Sequence, residues 1–86
     1  MARFISLHTL ACLTRQGAEE LTTRLCRGPK VRARRVAVNL YEGKMLGEFE
    51  AENREAVESW FKEQGMHFDW LMRVELDSED GSLKPV

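Results

Sequence analysis

The stretch KMLGEFEAENREAVESWFKEQGMHFDWLMRVEL, residues 44–76, decides the fold. At its start Met45, Gly47, Phe49 and Ala51 fall on one side and Leu46, Glu48 and Glu50 on the other, the two-residue period of a half-buried strand. Asn53 stands where a helix N-cap belongs, and Glu55 in the first turn suits the positive end of the helix dipole. Ala56, Val57, Trp60 and Phe61 share one helical face. Gly65 is placed to close the helix in a left-handed turn. Trp70, Met72, Val74 and Leu76 then alternate with Leu71, Arg73 and Glu75, so the stretch reads strand, capped helix, strand.

The first half repeats that plan less cleanly. Ile5 and Leu7 alternate with Phe4, Ser6 and His8. Thr14 is an N-cap for a helix reaching about Arg27, with Ala18, Leu21 and Leu25 as its apolar stripe. Gly28 and Pro29 end it. Val36, Val38 and Leu40 alternate with Ala37, Asn39 and Tyr41, and Glu42-Gly43 turns the chain into Lys44. The order β-α-β-β-α-β predicts an α+β, ferredoxin-like sandwich: a four-stranded antiparallel sheet with two helices on one face. Residues 1–76 form the expected single domain, and residues 77–86, acidic and poor in apolar side chains, an expected mobile tail.

Eighty-six residues leave room for one core, and a chain of this size buries about 60% of its unfolded surface. With no leader-like segment and no run of apolar residues long enough for a membrane, the expected location is cytoplasmic. Cys12 and Cys26 make no disulfide framework and read as free thiols. The net charge of −1 conceals a partition. Residues 1–40 hold eight Lys or Arg against two Glu, a net of +6, and residues 41–86 hold five against twelve Asp or Glu, a net of −7. Arg24, Arg27, Lys30, Arg32, Arg34 and Arg35 follow one another with no acid between them. Such a stripe suits a phosphate or another anion, and it equally suits acidic neighbours in the same subunit or a second one. It lacks the interleaved aromatics that stack bases, which argues against RNA.

If Ile5, Leu7, Val36, Val38, Met45, Phe49, Met72 and Val74 face the helices, the other sheet face collects Phe4, Ser6, His8, Asn39, Tyr41, Leu46, Glu48, Glu50, Leu71, Arg73 and Glu75. A face this mixed predicts a homodimer or higher homo-oligomer, with a ligand pocket between sheets lined by Phe4, Tyr41, Leu71 and Arg73. The first and third strands of this fold are central neighbours, so His8, Glu48 and Glu50 could converge. One imidazole with carboxylates suits a borderline divalent ion such as nickel, zinc or manganese, or a general base and its orienting partner. The plainer reading is a solvated strand whose His and Glu bond each other, Arg73 or water. Related chemistries of this fold lack their motifs here: Cys12 has no second cysteine two residues away, Asn39 has no glycine-rich phosphate loop to serve, and no Lys/Arg-Gly-Phe motif lies on a central strand.

Three segments carry a family likeness: MARFISLH at 1–8, a first strand ending in His; FEAEN at 49–53, like an aromatic-Glu-Ala-Pro-Asp junction with Glu52 in place of Pro; and GMHFD at 65–69 leading to Val74. In these the chain resembles a group of small bacterial ferredoxin-like proteins, classed as a domain of unknown function, that includes a nickel-binding member. The basic segment from Arg27 to Arg35 has no counterpart in that likeness. The resemblance implies the same fold and a dimer or higher oligomer, and it adds weight to a metal held through His8 and Glu50. Three functions follow as expectations. One is a small ligand- or divalent-metal-binding protein with its site on the open sheet face, around His8, Glu48 and Glu50. Another is a small dimeric α+β-barrel enzyme, resembling muconolactone isomerases or antibiotic-synthesis monooxygenases. The third is an anion- or nucleic-acid-binding module working through Arg27, Lys30, Arg32, Arg34 and Arg35.

Overall fold

The computed structural model describes residues 1–86. Its elements are β1 (Ala2–Thr9), α1 (Arg15–Leu25), β2 (Arg32–Asn39), β3 (Lys44–Ala51), α2 (Arg54–Glu63), β4 (Trp70–Val74), β5 (Leu76–Glu79) and β6 (Ser82–Pro85). The first four strands, β1 to β4, arrange as one antiparallel sheet in the order β2-β3-β1-β4, with β1 and β3 at its centre. This is the expected ferredoxin-like α+β fold.

The helix ends are built as the sequence predicts. The Gly17 N–H donates to the Thr14 hydroxyl oxygen at 3.0 Å, and the Ala56 N–H to the Asn53 side-chain oxygen at 2.9 Å, each meeting one of the orphan donors of a first turn. At the far end of α2, Gly65 has φ +66°. Its N–H donates to the Lys62 carbonyl at 3.0 Å and that of Met66 to the Phe61 carbonyl at 2.8 Å, which is a Schellman closure, with Met66 buried beneath it.

Phe4, Leu21, Leu25, Val31, Met45, Phe49, Ala51, Val57, Phe61, Met66 and Leu71 form the core between sheet and helices. The Phe61 ring meets Phe49 edge-on, with centroids 5.2 Å apart. Gly47 lies in this layer because there is no room for more: a Cβ there would stand 2.4 Å from the Phe49 ring.

The sheet faces differ from expectation on β1 and β4. Phe4 lies opposite Phe49, Ser6 opposite Gly47 and His8 opposite Met45, and directly opposed residues share a face. Phe4, Ser6 and His8 therefore point toward the helices and are buried, while Ile5 and Leu7 belong to the open face. On β4, Leu71 lies opposite Ser6 and is buried, which turns Trp70, Met72 and Val74 to the open face. On β2 and β3 the expected faces hold: Val36, Val38, Met45 and Phe49 are on the helix side, and Asn39, Leu46, Glu48 and Glu50 are not.

The expected solvated tail is a hairpin. β5 and β6 pair antiparallel through Leu76–Pro85, Asp77–Lys84, Ser78–Leu83 and Glu79–Ser82. Asp80 and Gly81 join them with φ of 50° and 82°, positive at both central residues as a type I′ turn requires.

Candidate functional site on the open sheet face

His8 is fully buried, on the helix side of β1. Its Nδ1 lies 2.7 Å from the His67 carbonyl oxygen and its Nε2 2.7 Å from the Ser6 hydroxyl. A carbonyl can only accept, so Nδ1 carries the ring proton, and Nε2 accepts from the Ser6 O–H. The Phe61 ring stands edge-on at 4.9 Å. Burial pushes the His8 pKa below the usual histidine value, with the His67 carbonyl and the charge of Asp69 opposing in part. His8 is thus a neutral, satisfied core residue. The 2.7 Å Ser6–His8 pair has the composition of a nucleophile and its base, but both side chains are at 0% exposure and neither can meet a substrate.

Glu48 and Glu50 lie across the sheet from that histidine and hold arginines instead. A bulge between Ala33 and Arg35 breaks the alternation of β2, so two consecutive arginines reach one face. Arg34 Nη1 is 3.2 Å from Glu50 Oε1, and Arg35 Nη1 is 3.9 Å from Glu48 Oε1. The expected set His8, Glu48, Glu50 therefore does not converge, and no other group of three His, Cys, Asp or Glu side chains meets with metal-binding geometry. The expected pocket dissolves as well. Phe4 and Leu71 are core residues under the helices, Tyr41 is fully exposed in the β2–β3 turn, and Arg73 lies on β4 opposite Phe4.

What the open face does hold is orderly. Across the strands run the rows Ala37–Leu46–Leu7–Trp70, Arg35–Glu48–Ile5–Met72 and Arg32–Glu50–Arg3–Val74. The β1–β4 half is apolar. Trp70 is 42% exposed and Met72 50%, beside half-buried Ile5, Leu7, Leu46 and Val74. The β2–β3 half is a lattice of arginine and glutamate. At one end of the face Lys44 Nζ donates to the Thr9 hydroxyl at 2.6 Å, which donates to Asp69 at 2.6 Å. At the other end Arg3 pairs with Asp77 at 2.5 Å. Reading β1 and β4 on the opposite parity missed this patch, although Trp70 and Met72 two residues apart, next to a single apolar Leu71, were its signal.

Of the basic stripe, Arg34 and Arg35 are committed to glutamates, whereas Arg24, Arg27, Lys30 and Arg32 are exposed and meet no carboxylate. Arg24 and Arg27 border a shallow depression with Gly17, Glu20 and Thr23; Lys30 and Arg32 border another with Met1, Gly28, Pro29, Glu52 and Ala56. Elsewhere, a groove of about 590 Å³ between α1 and the β2 edge is lined by Ala18, Thr22, Val38 and Leu40. No helix is long and apolar enough to cross a membrane.

No protein family and no curated protein matches this sequence. The fold is similar to the crystal structure of SCO4226 from Streptomyces coelicolor A3(2), with a TM-score of 0.80 over 90% of this chain and 100% of that one, at 17% sequence identity. At that identity the likeness shows the shared fold.

Proposed function

We propose that this chain is a small homodimeric binding protein, joined through the open sheet face, with a mainly apolar small ligand held between the two sheets. The observation that carries the reading is the patch of Trp70, Met72, Ile5, Leu7, Leu46 and Val74 on a face that no helix covers. Apolar surface of this kind, contiguous and rimmed by charge, is the usual mark of an interaction site. A second sheet would supply the missing wall of a pocket, and the Arg35–Glu48 and Arg34–Glu50 pairs would give its rim polar contacts for a ligand's end groups.

Sedimentation equilibrium tests it. The chain is expected to dimerise at micromolar concentration, and Met72→Glu, which places a charge in the middle of the patch without touching the core, should separate the subunits. A chain that stays monomeric to about 100 μM, a Kd corresponding to roughly −5.5 kcal/mol, rejects the reading.

The four unpaired cations favour a second reading, anion binding through Arg24, Arg27, Lys30 and Arg32. A polyanion held there should be released steeply as salt is raised, and binding that ignores salt would remove the electrostatic argument.

A further inference from the structure

We propose that the free edge of β2, with the groove beside it, receives an extended acidic segment of a partner protein, which adds to the sheet as a further strand.

The sheet has two edges, β2 and β4, and the chain treats them differently. At β4, Arg54 Nη1 donates to the Leu71 carbonyl at 2.8 Å, so a side chain already covers part of that edge. The backbone of β2 bonds to β3 alone, and no turn, loop or side chain reaches it from elsewhere. An edge strand turns half of its N–H and C=O groups away from its neighbour, where they can pair with another chain. The β2–β3 register shifts once, between Ala33 and Arg35, and runs unbroken from Arg35 to Asn39.

That unbroken length lies beside the groove. β2 runs parallel to β1, so α1 passes β2 in the opposite direction. Ala18 and Thr22 accordingly stand by Val38 and Leu40, and the four line a groove of about 590 Å³. Val38 is 38% exposed and Leu40 44%. A strand laid on an edge sends every second side chain to the helix side of the sheet, and here that side is the groove. Backbone pairing would supply affinity, and an apolar side chain seated between α1 and β2 would supply specificity.

Charge says what kind of strand fits. Residues 15–40, which form the helix wall and the edge, hold seven Lys or Arg against two Glu. Arg34 and Arg35 pair with Glu50 and Glu48, and Arg15 pairs with Glu19. Arg24, Arg27, Lys30 and Arg32 remain, toward the start of β2, with Glu20 and Glu52 as the acids near them. The balance along the edge stays positive. Arginines and a bulge guard an edge against neutral strands, and the same arginines attract an acidic one. A second copy's β2, RARRVAVN, would bring three more arginines and no carboxylate, so a different, acidic chain is the better occupant.

The test uses two heptapeptide libraries displayed on phage and selected against the full chain, one alternating apolar residues with Asp or Glu, the other with Lys or Arg. The acidic library is expected to enrich and the basic one to fail. The most enriched acidic peptide, made synthetically, should bind with a Kd of about 100 μM or tighter by fluorescence anisotropy, and should shift the amide NMR signals of Val36, Val38 and Leu40. N-methylation of one alternate set of its amides should weaken binding by about tenfold or more, while the other set tolerates it, because an added strand bonds through every second residue. Leu40→Glu, at an exposed groove position, should weaken binding about as much. The inference is overturned if neither library enriches, if both enrich alike, or if neither methylated set loses affinity, the result that attraction to the cations alone would give. It falls too if the shifts are confined to Trp70 and Met72, or if Leu40→Glu converts a dimer to monomers, which would make the edge a subunit contact. The sheet-face dimer is judged separately, by sedimentation of Met72→Glu.

Discussion

Lowering the pH through the range in which histidine titrates should destabilise this protein through His8. Fully buried, its ring donates from Nδ1 to the His67 carbonyl and accepts from Ser6 at Nε2. A second proton, on Nε2, would turn the Ser6 hydroxyl from donor to acceptor and place a charge in a buried site beside the Phe61 ring. The folded pKa is lowered, with burial as the largest cause, while the unfolded chain titrates near 6.5. Above pH 6.5 neither state holds the extra proton and the fold has its full stability. As pH falls below 6.5 the unfolded state takes up the proton first, so stability declines until the folded pKa is passed. The ceiling is set by a folded ring that never takes the second proton: a loss at pH 5.5 of RT ln(1 + 10), about 1.4 kcal/mol, with a limiting slope of about 1.4 kcal/mol per pH unit. Urea unfolding at fixed protein concentration between pH 7.5 and 5.5 measures it, a window that stays above most carboxylate titration. In His8→Gln the histidine-dependent slope should vanish, though the variant starts less stable. His67→Gln, which keeps the backbone carbonyl, should retain it. In NMR the His8 ring should take up its second proton at a lower pH than it does in the unfolded chain, and be in the neutral Nδ1–H form above that. A His8 that titrates at or above pH 6.5, or the same slope in His8→Gln, refutes the reasoning.

Three further outcomes follow from the same geometry. Gly47→Ala puts a Cβ 2.4 Å from the Phe49 ring and should cost about 1–3 kcal/mol in urea unfolding, far more than Gly→Ala in an open strand. Joint replacement Glu48→Gln, Glu50→Gln breaks two partly exposed ion pairs and should change stability by no more than about 1 kcal/mol, while polyanion affinity rises because Arg34 and Arg35 are released. Calorimetric titration of tag-free protein with nickel should give the same isotherm before and after that replacement, since His8 and the two glutamates lie on opposite sides of the sheet; a binding site lost with the glutamates would show that they ligate metal after all.

The fold was legible because its signals are local. Thr14 and Asn53 cap the helices they were expected to cap, Gly65 closes α2, and the alternation on β3 is clean because Phe49 and Met45 have only Leu46 against them. The site was misplaced because β1 and β4 carry apolar residues on both parities. Counting side chains favours Ile5 and Leu7 over a lone Phe4, and Met72 and Val74 over a lone Leu71. The structure instead buries Phe4 and Leu71 with two polar residues that satisfy one another, Ser6 and His8. Hydropathy alone could not reveal that, because the compensation comes from the His67 carbonyl, 59 positions away. The C-terminal hairpin was readable: Asp80-Gly81 is the strongest short hairpin signal available, and the acidity around it obscured the pattern.

That misplacement bears on why the open face is there at all. A strand with apolar residues on both parities is wasteful in a monomer, since one set must meet water. Here the doubled strands are adjacent, β1 and β4, and their surplus side chains form one patch instead of scattered spots. β2 and β3, by contrast, spend their open parity on arginine and glutamate in register, with a bulge that brings Arg34 and Arg35 to the same side. A sheet that only needed to stay in solution would not divide its outer face into an apolar half and an ionic half. Packed on a second copy of the sheet, the apolar half would gain the cover it lacks and the ionic half would supply a polar rim, which is the contact the proposed dimer needs.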